Sequence, residues 1–146
     1  MAKQPALPRL VIDTNVFISG LISANGAPAT ILNAIRRRKA VHLVSDPIVE
    51  EYLRVLDYPR IRKFKNVTDA FISDIAAYLL YQTERVELVS RIKLSPDPDD
   101  DVFLETAVDG KATLIISGDK TDLLSIWAVQ GISIVSAGSA VSQLGI

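Results

Sequence analysis

The chain has 146 residues, 49% hydrophobic and 23% charged, with 16 basic and 17 acidic side chains giving a formal net charge of -1. That balance excludes a disordered polyelectrolyte and a globally basic nucleic-acid binder, so any nucleic-acid surface has to be local. With no cysteine there is no disulfide framework, thiolate zinc site or cysteine nucleophile, which fits a reducing, cytoplasmic setting.

Residues 1–8 carry Pro5 and Pro8 and no apolar stretch of signal-peptide length, so they read as an N-terminal tail. No run approaches the roughly 20 apolar residues that a membrane helix needs, and a soluble protein with no membrane partner is expected. Leu10-Val11-Ile12 is an apolar run ending at Asp13 and predicts a buried first strand. A helical segment over 16–22 is broken by Ala24-Asn25-Gly26, and Pro28 starts a helix to about residue 38. A second strand over 41–44 holds the only histidine, His42. Its place inside a strand favours a structural role, because catalytic groups usually sit on loops or element ends.

Ser45-Asp46-Pro47 supplies a cap and a first-turn proline for a helix to about residue 57, which Tyr58-Pro59 closes. Thr68 or Asp69 opens the next helix, to about 82, and 86–89 is a third strand. Four carboxylates in the run Asp97-Pro98-Asp99-Asp100-Asp101 open a helix that stops at Gly110. A buried strand over 113–117, a short helix over 123–129, a strand over 132–135 and a C-terminal helix complete the chain. Strands alternating with helices over one domain's length predict a single α/β domain, 1–146, with a mostly parallel sheet covered on both faces.

Ligand sites in such sheets collect beyond the carboxyl ends of the strands. Asp13 immediately follows the first strand and Asp119 follows Ser117 by two residues, although each alone also reads as a turn cap. At about 100° per residue, Asp100 falls within roughly 60° of Phe103, Leu104 and Ala107, on the apolar face of its helix. Asp99 and Asp101 project to the flanks, where the helix dipole explains them. An inward carboxylate such as Asp100 loses several kcal/mol of hydration unless partners compensate it, and no basic residue is near it in sequence. Glu51 borders the stripe Ile48, Val49, Tyr52, Leu53, Val55 and Leu56, whereas Glu50 lies opposite and is spaced to pair with Arg54. Asp122, one turn after Asp119, either joins the same acids or caps the helix at Leu123.

Carboxylates brought together repel unless protons or a cation neutralise them. Oxygen-only ligands suit magnesium or manganese, and such sites serve phosphoryl chemistry through a metal-activated water. Thr14, Asn15 and Ser117 are placed to position that water or a phosphate oxygen. Two basic clusters, Arg36-Arg37-Arg38-Lys39 and the group Arg60, Arg62, Lys63 and Lys65, offer phosphate contacts or are solvated helix ends. The second group falls in a loop after the Glu51 helix.

Asp13-Thr14-Asn15 after an apolar strand resembles the first motif of PIN-domain nucleases, and Glu51 with its helix resembles the second. Asp97-Pro98-Asp99-Asp100-Asp101 followed by Phe103-Leu104 and Ala107 resembles the third, with Asp100 at the catalytic position. Ser117-Gly118-Asp119 with Asp122 behind it is similar to the fourth. The resemblance is nearest to bacterial toxins of toxin–antitoxin pairs. It implies about five strands in a parallel sheet, a magnesium- or manganese-dependent endoribonuclease acting on RNA, a dimer, and inhibition by a small antitoxin. It also implies Asp13, Glu51, Asp100 and Asp119 as catalytic acids, with Asp13, Asp100, Asp119 and Asp122 toward the metal. Two rivals stay open: a magnesium-dependent phosphatase or receiver-like domain, for which Lys120 is the only support, and a non-catalytic RNA- or antitoxin-binding module. Phe71, Ile75, Tyr78 and Leu79 read as core, with a dimer face as the alternative.

Overall fold

Leu10, Val11 and Ile12 are fully buried in strand β1 (Arg9–Ile12) of the computed structural model, which describes residues 6–118 and 123–146. A central parallel strand is covered on both faces, so it reads as a continuous apolar run rather than an alternation. The other strands are β2 (Val41–Val44), β3 (Glu84–Arg85), β4 (Leu114–Ile116), β5 (Ala128–Val129) and β6 (Ile132–Val135). Their order in the sheet is β3-β2-β1-β4-β6-β5, parallel throughout except for the β5–β6 pair. Leu10 pairs with His42 on one side of β1, and Leu10, Val11 and Ile12 pair with Leu114, Ile115 and Ile116 on the other.

The helices among the described residues are α1 (Thr14–Ile22), α2 (Ala27–Arg36), α3 (Asp46–Leu56), α4 (Pro59–Arg62), α5 (Asp69–Tyr81), α6 (Asp101–Asp109), α7 (Leu123–Ile126) and α8 (Ala137–Leu144). This is the expected α/β domain with a mostly parallel sheet, carrying six strands among the described residues rather than about five. Thr68 caps α5 as its sequence suggests, its hydroxyl accepting from Phe71 N–H at 3.1 Å. Ile75 and Leu79 are buried, and Phe71 and Tyr78 pack against the core, so that face of α5 is interior. No single helix among the described residues is long and apolar enough to cross a membrane.

Four local expectations need correction. The third strand is Glu84–Arg85, not 86–89. The Asp109 carboxylate takes the amides of Val89 and Ser90 at 2.8 and 2.9 Å, drawing that stretch away from a ladder. The helix begun at Leu123 ends at Ile126, because Trp127 takes a φ of 74°. Gln130 and Gly131, with φ of 46° and 82°, then make the tight turn that joins β5 to β6. The basic loop after α3 contains α4, since the proline that closes one helix is well placed to start another. Finally, the aspartate run does not enter an α-helix directly: Pro98–Asp100 is a 3-10 turn, and α6 begins only at Asp101.

Candidate functional site

Asp13 is the first residue past β1, and its N–H still bonds to Ile116 O at 2.8 Å, which fixes it at the carboxyl edge of the sheet. Its side chain caps α1: Oδ1 accepts from Thr14 N–H at 2.7 Å and Oδ2 accepts from the Ser117 hydroxyl at 2.8 Å. Asp13 is only 6% exposed and Ser117, just past β4, is fully buried. The start of α1 also favours a negative charge at that position through its backbone dipole.

The Thr14 hydroxyl donates to the Glu51 carboxylate, so one residue joins two acids that lie far apart in sequence. Glu51 sits in the second turn of α3 with 21% of its side chain exposed, and Arg54 Nη2 lies 3.8 Å from its Oε1. The pairing expected between Glu50 and Arg54 is therefore made by Glu51 instead. Arg54 is raised above the usual guanidinium range, mainly by a hydrogen bond with Tyr58, with Glu51 and Asp99 adding to it.

Helix α6 brings the aspartates to this edge. Arg9, at the start of β1, donates through Nε to Gly110 O at 3.1 Å, which anchors the C-terminal end of α6 beside the beginning of the strand. The helix packs along β1 and β4, and nine residues at 1.5 Å each carry it about 14 Å back. Its N-terminal end, with Asp100, consequently lies toward the carboxyl edge where Asp13 sits.

Asp100 is half-buried at the junction of the 3-10 turn and α6, not in the middle of the apolar face. The change from three residues per turn to 3.6 shifts the helical phase that a uniform helix would give it. Asp101 is the buried acid of the run, at 6% exposure, with Oδ1 accepting from Leu94 N–H at 3.1 Å and Ser95 N–H at 2.7 Å. It braces the loop that precedes the turn, a role its flank position in sequence did not reveal. Asp97 caps the 3-10 turn by accepting from Asp99 N–H at 3.0 Å.

Asp119 and Asp122, like Lys120, lie outside the described residues. Among the described residues no three acidic or histidine side chains stand close enough together to hold a metal ion. Thr14 and Ser117 both touch the acids, whereas Asn15 is exposed and lines an adjoining groove of about 420 Å³ with Ile18, Val55, Arg60 and Phe64. Arg60 lies over the Tyr58 ring, 5.6 Å from its centroid, and Lys63 and Lys65 are exposed. Arg62 is paired with Asp57 at 3.0 Å and Asp69 at 2.6 Å, which joins α4 to the start of α5.

Behind the acids lies a polar cluster in the core. His42 and Tyr52 are fully buried, with His42 Nε2 3.2 Å from the Tyr52 hydroxyl and Nδ1 2.8 Å from that of Tyr78. Tyr52 also donates to the carbonyl of Ile12. Burial pushes the Tyr52 phenol well above its ordinary range, with Tyr78, Asp13 and Glu51 adding to the shift. In sequence, Tyr52 reads only as part of the apolar stripe of α3. The overlooked signal is that a buried tyrosine hydroxyl requires a partner.

Burial holds the His42 imidazole neutral, with its pKa down at about 3. In the unfolded chain it takes up a proton below about pH 6.5. The unfolded state therefore binds more protons below that value, and stability should fall as pH drops through the window between 6.5 and 3. We expect a loss of about 2 kcal/mol between pH 6.5 and 5, read from urea midpoints. His42→Gln should lose this slope, and an equal slope in both proteins would remove His42 as its cause.

A family model described as PIN domain matches residues 9–121. The uncharacterized protein MJ1680 of Methanocaldococcus jannaschii is 35% identical over 118 residues, which are 81% of this chain and 74% of that protein. A chain in the crystal structure of VapBC2 from Rickettsia felis, bound to a DNA fragment from their promoter, has the same fold. Its TM-score is 0.55 at 8% identity, over 86% of this chain and 96% of that one. The PIN domain endonuclease Utp24 overlays with a TM-score of 0.48 at 20% identity, over 88% of this chain and 84% of that one.

Proposed function

The chain belongs to the PIN-domain family, and from that premise we propose that it is a metal-dependent endoribonuclease that hydrolyses RNA phosphodiester bonds. The observation that carries the proposal is Thr14, which holds Asp13 through its N–H and Glu51 through its hydroxyl at the carboxyl edge of the sheet.

The donor set fits a hard cation. Every donor identified there is an oxygen, and the Asp13 carboxylate is oriented by the Thr14 N–H and the Ser117 hydroxyl. Magnesium or manganese suits such a set. Asp13 and Asp100 would hold it, with Asp119 and Asp122 by family motif. When bound, a divalent ion stabilises developing phosphoryl charge and lowers the pKa of water for in-line attack. Glu51, held by Thr14 and balanced by Arg54, accepts the proton of the attacking water. Ser117 and Thr14 keep the Asp13 carboxylate in a single orientation. Arg60, with Lys63 and Lys65, neutralises the RNA backbone along the groove that starts at Asn15, a contact without sequence information.

The proposal extends to the toxin half of a toxin–antitoxin pair, acting as a dimer in the cytoplasm and held in check by a small antitoxin. Its support is the resemblance across the four motifs, to which the VapBC2 chain adds a likeness of fold. Labelled single-stranded RNA should be cut by the purified protein with magnesium or manganese. Cleavage should stop on chelation and return when metal is restored. Phosphate released from a small ester with no RNA cut would overturn this in favour of a phosphatase, and RNA binding without cleavage in either metal would favour a binding module.

A further inference from the structure

The end of β1 is held in an unusual way. Asp13 N–H points to β4, where it bonds to Ile116 O, so the backbone of the preceding residue faces the opposite neighbour, β2. The recorded β1–β2 pairing stops at Leu10 and His42. The Ile12 carbonyl, one bond before Asp13, receives the Tyr52 hydroxyl. Tyr52 follows Glu51 in α3, so the residue that secures the strand carrying one acid is next to the other.

The hydrogen bonds behind that contact have one consistent direction. Tyr52 has a single O–H proton and gives it to Ile12. At its contact with His42 Nε2, 3.2 Å away, the histidine is therefore the donor. A neutral imidazole has only one N–H, which leaves Nδ1 bare to accept from the Tyr78 hydroxyl at 2.8 Å. Phe17 stacks on Tyr52 with ring centroids 4.2 Å apart and lies 5.4 Å from the His42 ring, so the rings have little freedom to turn.

We propose that Tyr78, His42 and Tyr52 form a one-way hydrogen-bond relay that positions Asp13 relative to Glu51 by holding the Ile12 carbonyl. None of the three touches the reacting atoms; they are positioning residues. This rests on the nuclease reading only in assigning Asp13 and Glu51 to the site. The relay also accounts for a fully buried histidine and tyrosine hydroxyl beneath the sheet edge, where apolar side chains would pack more simply.

The test is Tyr52→Phe, which keeps the ring and deletes the hydroxyl, with manganese alone as the calorimetric probe. We expect its dissociation constant to rise about tenfold, as for other partners that orient metal-holding residues, with the stoichiometry unchanged. A purely structural loss would instead lower the stoichiometry and leave the constant as it was, overturning the proposal. Nitrogen NMR of the parent should show His42 protonated at Nε2 and bare at Nδ1; the opposite tautomer would also overturn it. If Tyr52→Phe does not fold, Tyr78→Phe should show the same rise in smaller measure, and no rise counts against the relay. If the parent binds no manganese, the metal-site reading fails separately. The relay is then read from the Asp13 carboxyl carbon resonance, which must move in the folded variant if the relay sets that side chain.

Discussion

Asp13→Asn should cut RNA cleavage by more than about 100-fold, because residues that merely orient metal-holding groups already reach that range. The fold should survive. The asparagine oxygen can still accept from Thr14 N–H, and its NH₂ can face Ser117, whose hydroxyl accepts as readily as it donates. What disappears is the negative charge, and with it the attraction for a divalent cation. Cleavage rate and thermal midpoint measured together decide the matter: a lost rate with a midpoint within about 3 °C of the parent is expected. Retained cleavage would remove Asp13 from the site.

The central strand and its terminal acid were legible in the sequence for the same reason. A strand buried on both faces leaves an uninterrupted apolar run, and the first carboxylate beyond it stands out. Glu51 was legible because a charged residue at the border of an apolar stripe is neither core nor free surface. The Thr14 contact that joins the two acids was not, since it spans 37 residues and depends on how α3 sits over the sheet. Strand β3 was missed because Glu84 and Arg85 carry no apolar pattern; Glu84 is instead tied to Arg9 as an ion pair. Strand β5 escaped notice because two residues give no periodicity and its position depends on the turn at Gln130 and Gly131. The relay was hidden likewise: His42, Tyr52 and Tyr78 come from three separate elements, and only packing shows that one imidazole serves two tyrosines.

Asp100→Asn and Asp101→Ala should have opposite consequences although the residues are neighbours. The first removes a charge from a half-buried acid at the carboxyl edge and should abolish cleavage. Its stability change should stay within the roughly 0.3–1 kcal/mol that an acid at a helix start contributes. The second deletes the acceptor for the Leu94 and Ser95 amides, both bonded to one oxygen of Asp101. Leaving those amides unsatisfied costs about 2 kcal/mol after partial access by water, a fall of about 5 °C in the midpoint. Assayed well below that midpoint, Asp101→Ala should still cut RNA. Asp101→Asn, whose amide oxygen can accept both bonds, should recover most of the lost stability, separating the acceptor from the charge. If Asp100→Asn cleaves as fast as the parent, Asp100 holds no catalytic metal. If Asp101→Ala is instead the variant that loses cleavage while keeping its midpoint, the two aspartates have exchanged roles, and the start of α6 presents its site-facing acid one residue later than the 3-10 turn indicates.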